Sequence, residues 1–94
     1  MTNKESIHVK RVTITKAADC SGLSVRAVHE CIERGFVEKE ITEAELANLR
    51  RVRRLLDLGI NWAGVEVVLH MRRQIQSLRA ELARLQALYE RGGR

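Results

Sequence analysis

The apolar positions of this 94-residue chain fall mostly at helical spacing, and the exception lies near its start. Ile7, Val9, Val12 and Ile14 alternate imperfectly with polar residues, which leaves room for one short strand. Thr15 is a good N-cap for the KAADCS run and Gly22 is a stop, so the pattern predicts a first helix of about two turns. Ser24 offers a second cap. VRAVHECIER then reads as a second helix closed by Gly35, with Val25, Val28 and Ile32 on its inner stripe and Cys31 at the margin. Only Ser21-Gly22-Leu23 separates the two. Two short helices joined by a tight turn containing glycine are the signature of a helix-turn-helix.

Phe36-Val37 and Ile41 flank Glu38-Lys39-Glu40, a stretch with room for a vestigial hairpin and no more. Thr42 opens a third helix, with Glu45 three residues on to complete a capping box. Leu46, Leu49, Val52, Leu55, Leu56 and Leu58 supply its apolar side, and Gly59 ends it. Arg50, Arg51, Arg53 and Arg54 fall on the other faces and read mostly as a solvated surface. Asn61 caps a last helix that meets no stop between Trp62 and Gly92. Along it Met71, Ile75, Leu78, Leu82, Leu85 and Tyr89 recur at alternating steps of four and three, the seam of a coiled coil. The upstream domain is too small to cover such a stripe, so the pattern predicts pairing with another helix. The expected organisation is all-α: a helix-turn-helix domain with a short N-terminal extension over residues 1–60, and a dimerisation helix over 61–91.

Composition narrows the picture. There is no proline, and the aromatics are Phe36, Trp62 and Tyr89. That suits helices, and it argues against a β-sandwich and against recognition of single strands by stacking. No apolar run approaches the roughly 20 residues that span a bilayer, and MTNKESIHVK lacks the apolar stretch of a signal peptide, so we expect no membrane association and a cytoplasmic location. Cys20 and Cys31 fit a reducing compartment. A metal held by Cys20, His29 and Cys31 is the weaker reading, since small buried thiols are ordinary core residues. No Gly-rich phosphate loop, paired-carboxylate pocket or nucleophile–base arrangement can be placed, so we expect neither an enzyme nor a cofactor.

The formal net charge is +5. Residues 1–36 carry six Lys/Arg against four Asp/Glu, residues 37–69 five against six, and residues 70–94 six against two. A basic chain favours an anionic partner such as DNA, but the excess sits mostly on the last helix, where a solvated face explains it as well. The one acidic region is Glu38, Glu40, Glu43 and Glu45, around the start of the third helix. Acids there are favoured by the helix dipole in any case.

The order of parts resembles MerR-type regulators, dimeric DNA-binding proteins with a winged helix-turn-helix and a coiled-coil dimer helix. VTITKAADCSGLS, a second helix ending in Arg34-Gly35-Phe36-Val37, and LANLRRVRRLLDLGI carry the likeness over residues 12–60. Two features depart from it. The second helix of those regulators carries an Arg-Tyr-Tyr-like stretch, and here Val28-His29-Glu30-Cys31 occupies it: His29 stands at the phosphate-facing Arg position and the acidic Glu30 follows, where a carboxylate near phosphate is repulsive. The wing is also missing, since only residues 38–41 bridge to the third helix. The C-terminal half, LGINWAGVEVVLHMRRQIQSLRAELARLQ, is similar to the chaperone-modulator branch of that superfamily. Ile60-Asn61-Trp62-Ala63-Gly64-Val65, then Val67-Val68-Leu69 and a Leu-rich helix, carry this second likeness over about residues 10–90.

The resemblance implies an all-α, MerR-like helix-turn-helix with a vestigial wing, followed by a long coiled-coil dimerisation helix. It implies a homodimer that binds and inhibits the J-domain of a DnaJ-like co-chaperone. The chaperone-facing surface of a J-domain is typically basic, so contact would fall on Glu38, Glu40 and Glu43, with Trp62 either a structural anchor or a further contact. The alternative is a transcriptional regulator of duplex DNA. Arg26 and His29 would then face the groove, with Lys10, Arg11 and Lys16 on flanking phosphates.

Overall fold

The computed structural model describes residues 10–92 of the chain. Its elements are α1 (Ile14–Ser21), α2 (Val25–Glu33), a single 3-10 turn (Glu43–Glu45), α3 (Leu46–Asp57) and α4 (Trp62–Gly92). The fold is all-α, with no strand among the described residues. Ile7 and Val9, half of the expected strand, lie outside them. What remains of sheet pairing is one antiparallel bridge between Arg11 and Thr42. Val12 N–H donates to Ile41 O at 2.8 Å, and Glu43 N–H donates to Lys10 O at 3.1 Å. The extended residues 10–12 are thus tied to the segment that leads into α3.

That tie moves the first cap. The extended segment ends at Val12, and Thr13 takes the N-cap position in place of Thr15. Its backbone is extended, and its hydroxyl accepts the Lys16 N–H at 3.1 Å. Thr15 is an exposed residue of the first turn. Ser24 caps α2 as expected, accepting from Ala27 N–H at 3.0 Å. At the far end of α2, Phe36 N–H reaches Cys31 O at 2.8 Å and Gly35 N–H reaches Ile32 O at 3.0 Å. This is a Schellman closure, with a positive φ at Gly35. The same pair of bonds closes α3, from Ile60 N–H to Leu55 O and from Gly59 N–H to Leu56 O. Thr42 and Glu45 form the expected capping box, but over a 3-10 turn, so the α-helix proper begins at Leu46.

The chain divides after Asn61 into two units. In the first, α1 packs against both α2 and α3. Ala17 and Ala18 of α1, Val28 and Cys31 of α2, and Leu46, Leu49 and Val52 of α3 are buried. Phe36, Val37 and Ile41 are buried too, so the link between α2 and α3 belongs to the core and presents only its charged residues outward. Two expected core residues are corrected. Val25 is 45% exposed, because as the first residue of α2 it stands off the Val28–Cys31 stripe. Leu58 is 75% exposed, because it follows the last residue of α3 as the chain turns away. The second unit is α4, whose 31 residues span about 46 Å at helical rise. Val65 and Leu69 are its buried residues.

Candidate functional site

The helix-turn-helix is assembled from both sides of Gly22. The last carbonyls of α1 have no partner within the helix, and they carry the negative end of its dipole. Gly22 supplies one donor, its N–H bonding Ala18 O at 2.9 Å with φ at +83°. Leu23 N–H goes to the Ser21 hydroxyl at 3.2 Å. Arginines of α3 supply two more, one to the end of α1 and one to the turn itself. Arg50 Nε donates to Cys20 O at 3.3 Å, and Arg53 donates through one terminal nitrogen to Gly22 O at 3.0 Å and through Nε to Asp57 at 2.8 Å. Two of the four arginines expected on a solvated face are therefore bound to backbone carbonyls, Arg50 at the end of α1 and Arg53 at the turn. The spacing of 30 residues between donor and acceptor gave no local signal of this.

The outward face of α2 is mixed in charge. Arg26 and His29 are exposed, as the DNA reading expects. Glu30, however, accepts from Arg34 Nε at 2.6 Å, an i,i+4 pair on the same helix. Among α2 residues Arg26 is thus set against Glu30 and Glu33. On the inner face, burial pushes the Cys31 thiol up to about 11, with the Glu30 carboxylate adding to the shift. That thiol is a core group and not a nucleophile. Among the described residues no group of three or more His, Cys, Asp or Glu is placed to hold a metal ion.

The glutamates around the start of α3 are divided in role. Glu45 is structural: its carboxylate accepts from Glu38 N–H at 3.0 Å and from Thr42 N–H at 3.5 Å, fastening the link between α2 and α3. Glu40 lies 3.2 Å from the Arg11 guanidinium, both side chains largely in solvent. Glu38 and Glu43 are exposed. Lys10, Arg11 and Lys16 are brought together around one open cavity that also reaches Glu43.

On α4 the whole expected seam faces solvent within this chain. Met71, Ile75, Leu78, Leu82, Leu85 and Tyr89 are each about half exposed or more, and Leu88 joins them. Trp62, the first residue of the helix, is half-buried. No helix among the described residues is long and apolar enough to cross a membrane.

Two capped helices about a glycine turn, clamped by arginines of a third and followed by a long helix, define a helix-turn-helix protein. A family model described as MerR HTH family regulatory protein matches residues 12–87, which takes in α1 through most of α4. The chain belongs to that family, and its role is regulatory. No curated protein and no solved structure matches it.

Proposed function

We propose that this chain regulates by binding another protein through its helix-turn-helix unit, as a homodimer joined along α4, and that the partner is the J-domain of a DnaJ-like co-chaperone. One observation carries the choice of a protein over DNA. The helix that would enter the groove offers Arg26 against Glu30 and Glu33, with Glu30 held in place by Arg34. Counting Arg34, the segment carries two arginines and two glutamates, and the Glu30–Arg34 pair spends one cation within the protein, so the helix forgoes much of the counterion release that drives DNA affinity. The link where a basic wing would stand presents Glu38, Lys39 and Glu40 instead, acidic by one charge. An acidic rim of that kind complements a basic J-domain surface. The dimer rests on the exposed seam, since monomers rarely leave so long a contiguous apolar stripe in water.

The rival reading is a DNA-binding transcriptional regulator. Family membership and the exposure of Arg26, His29, Lys10 and Lys16 favour it. Binding kinetics separate the two. Under the protein reading, the Glu38→Lys/Glu40→Lys variant associates with a J-domain more slowly and with a flatter salt response, because rim charges act mainly on association. Glu45 is left intact so that the capping box survives. Unchanged kinetics at low and high salt would move the J-domain elsewhere or remove it as the partner. A sequence-specific footprint at physiological salt would promote the DNA reading.

A further inference from the structure

Lys10, Arg11 and Lys16 surround an open cavity of about 400 Å³ at the head of α1. Small-molecule sites occupy roughly 300–1,000 Å³, with apolar walls and a few convergent polar groups. This one has that make-up. Half-buried Val12 and buried Leu46 form apolar wall, and the half-buried Cys20 thiol lines it. Glu43 is the one acid on the lining. Arg11 is partly offset by Glu40, whereas Lys10 and Lys16 have no ion-pair partner among the described residues. The first turn of α1 contains no acidic residue, so its dipole adds to the positive field of the lysines.

The walls come from three segments: residues 10–13, α1, and the entry to α3. The bonds from Val12 to Ile41 and from Glu43 to Lys10, with the exposed Arg11–Glu40 ion pair beside them, tie the first to the third. We propose that this cavity binds a small organic anion, with a carboxylate or phosphate head between Lys10 and Lys16 and a short apolar body against Val12 and Leu46. Such a ligand joins the three segments and steadies the helix-turn-helix, whichever macromolecule the regulator binds.

Cys20 gives a reporter inside the cavity and buried Cys31 an internal reference. The full chain is treated with iodoacetamide in the presence of phenyl phosphate, benzoate, neutral benzyl alcohol or cationic benzylammonium, and alkylation of each thiol is followed by mass spectrometry. The two anions separate a phosphate head from a carboxylate. At about ten times its dissociation constant a bound anion slows Cys20 alkylation about tenfold, since only empty sites react. The neutral and cationic analogues give no such protection, and Lys10→Gln/Lys16→Gln abolishes that by the anions. In parallel, backbone amides of residues 12–16 shift saturably with the anion, a readout that does not depend on thiol reactivity. Equal protection by benzyl alcohol would leave only an apolar groove and overturn the proposal. So would the absence of both protection and saturable shifts. Protection by random duplex DNA at physiological salt, with both small anions inert, would make the lysines a phosphate-backbone contact and overturn it as well.

Discussion

Replacing Gly22 by alanine should destabilise the helix-turn-helix unit through two effects that the structure separates. Gly22 has φ at +83°, where an added Cβ costs about 1–2 kcal/mol of backbone strain. That Cβ would also collide with the Arg53 guanidinium nitrogen that donates to Gly22 O. The guanidinium is the far end of a flexible side chain, so it swings away and the hydrogen bond is lost, at about 1 kcal/mol. The sum is about 2–3 kcal/mol, which lowers the thermal midpoint of a domain this size by roughly 8–24 °C. Urea denaturation at fixed protein concentration, followed by circular dichroism, measures the stability change. The decisive comparison is with Arg53→Ala, which removes both the obstacle and the donor. In that background Gly22→Ala should cost only the backbone strain, so the two substitutions fall short of additivity by about 1 kcal/mol. Strict additivity would refute the steric part of the reasoning. A near-neutral Gly22→Ala would refute the left-handed turn itself.

Burial raises the Cys31 thiol from 9.0 to about 11, so the unfolded chain gives up this proton first as pH rises. The associated stability is fully present below pH 9 and is lost as pH climbs towards 11, by about 2–3 kcal/mol, and Cys31→Ala should show a flatter decline in unfolding free energy over that window. Glu45→Ala leaves the Glu38 and Thr42 N–H groups without their acceptor and should cost about 1–2 kcal/mol in urea unfolding. Glu45→Gln, which keeps one oxygen, should recover part of it. Leu78→Ala/Leu82→Ala removes two seam side chains per chain, each worth about 2–5 kcal/mol once buried in a pair. Sedimentation should find monomer or unfolded chain, and an intact dimer would place the interface elsewhere.

Sequence alone determined the features that depend on neighbours within a turn or two. Ser24, Gly22, Gly35 and Gly59 act where spacing put them, because a cap or a left-handed stop is satisfied by residues three to five positions away. The unbroken helix of α4 and the apolar stripe along it were equally legible, since every position of the stripe lies on a single helix with a fixed period. Long-range partners were not. The bridge from Arg11 to Thr42 and the bond from Val12 to Ile41 shift the first cap to Thr13, although Thr15 is as good a capping residue by type. Arg50 and Arg53 looked like solvated charges until α3 laid them against carbonyls at Cys20 and Gly22. Lys10, Arg11 and Lys16 face one cavity with Leu46 only because α1 and the entry to α3 are adjacent in space. Each of these turns on which residues, some 30 positions apart, a shared core brings within hydrogen-bond distance. The hydrophobic effect that builds the core is non-directional, so periodicity identifies the buried faces but not which polar groups meet at their edges.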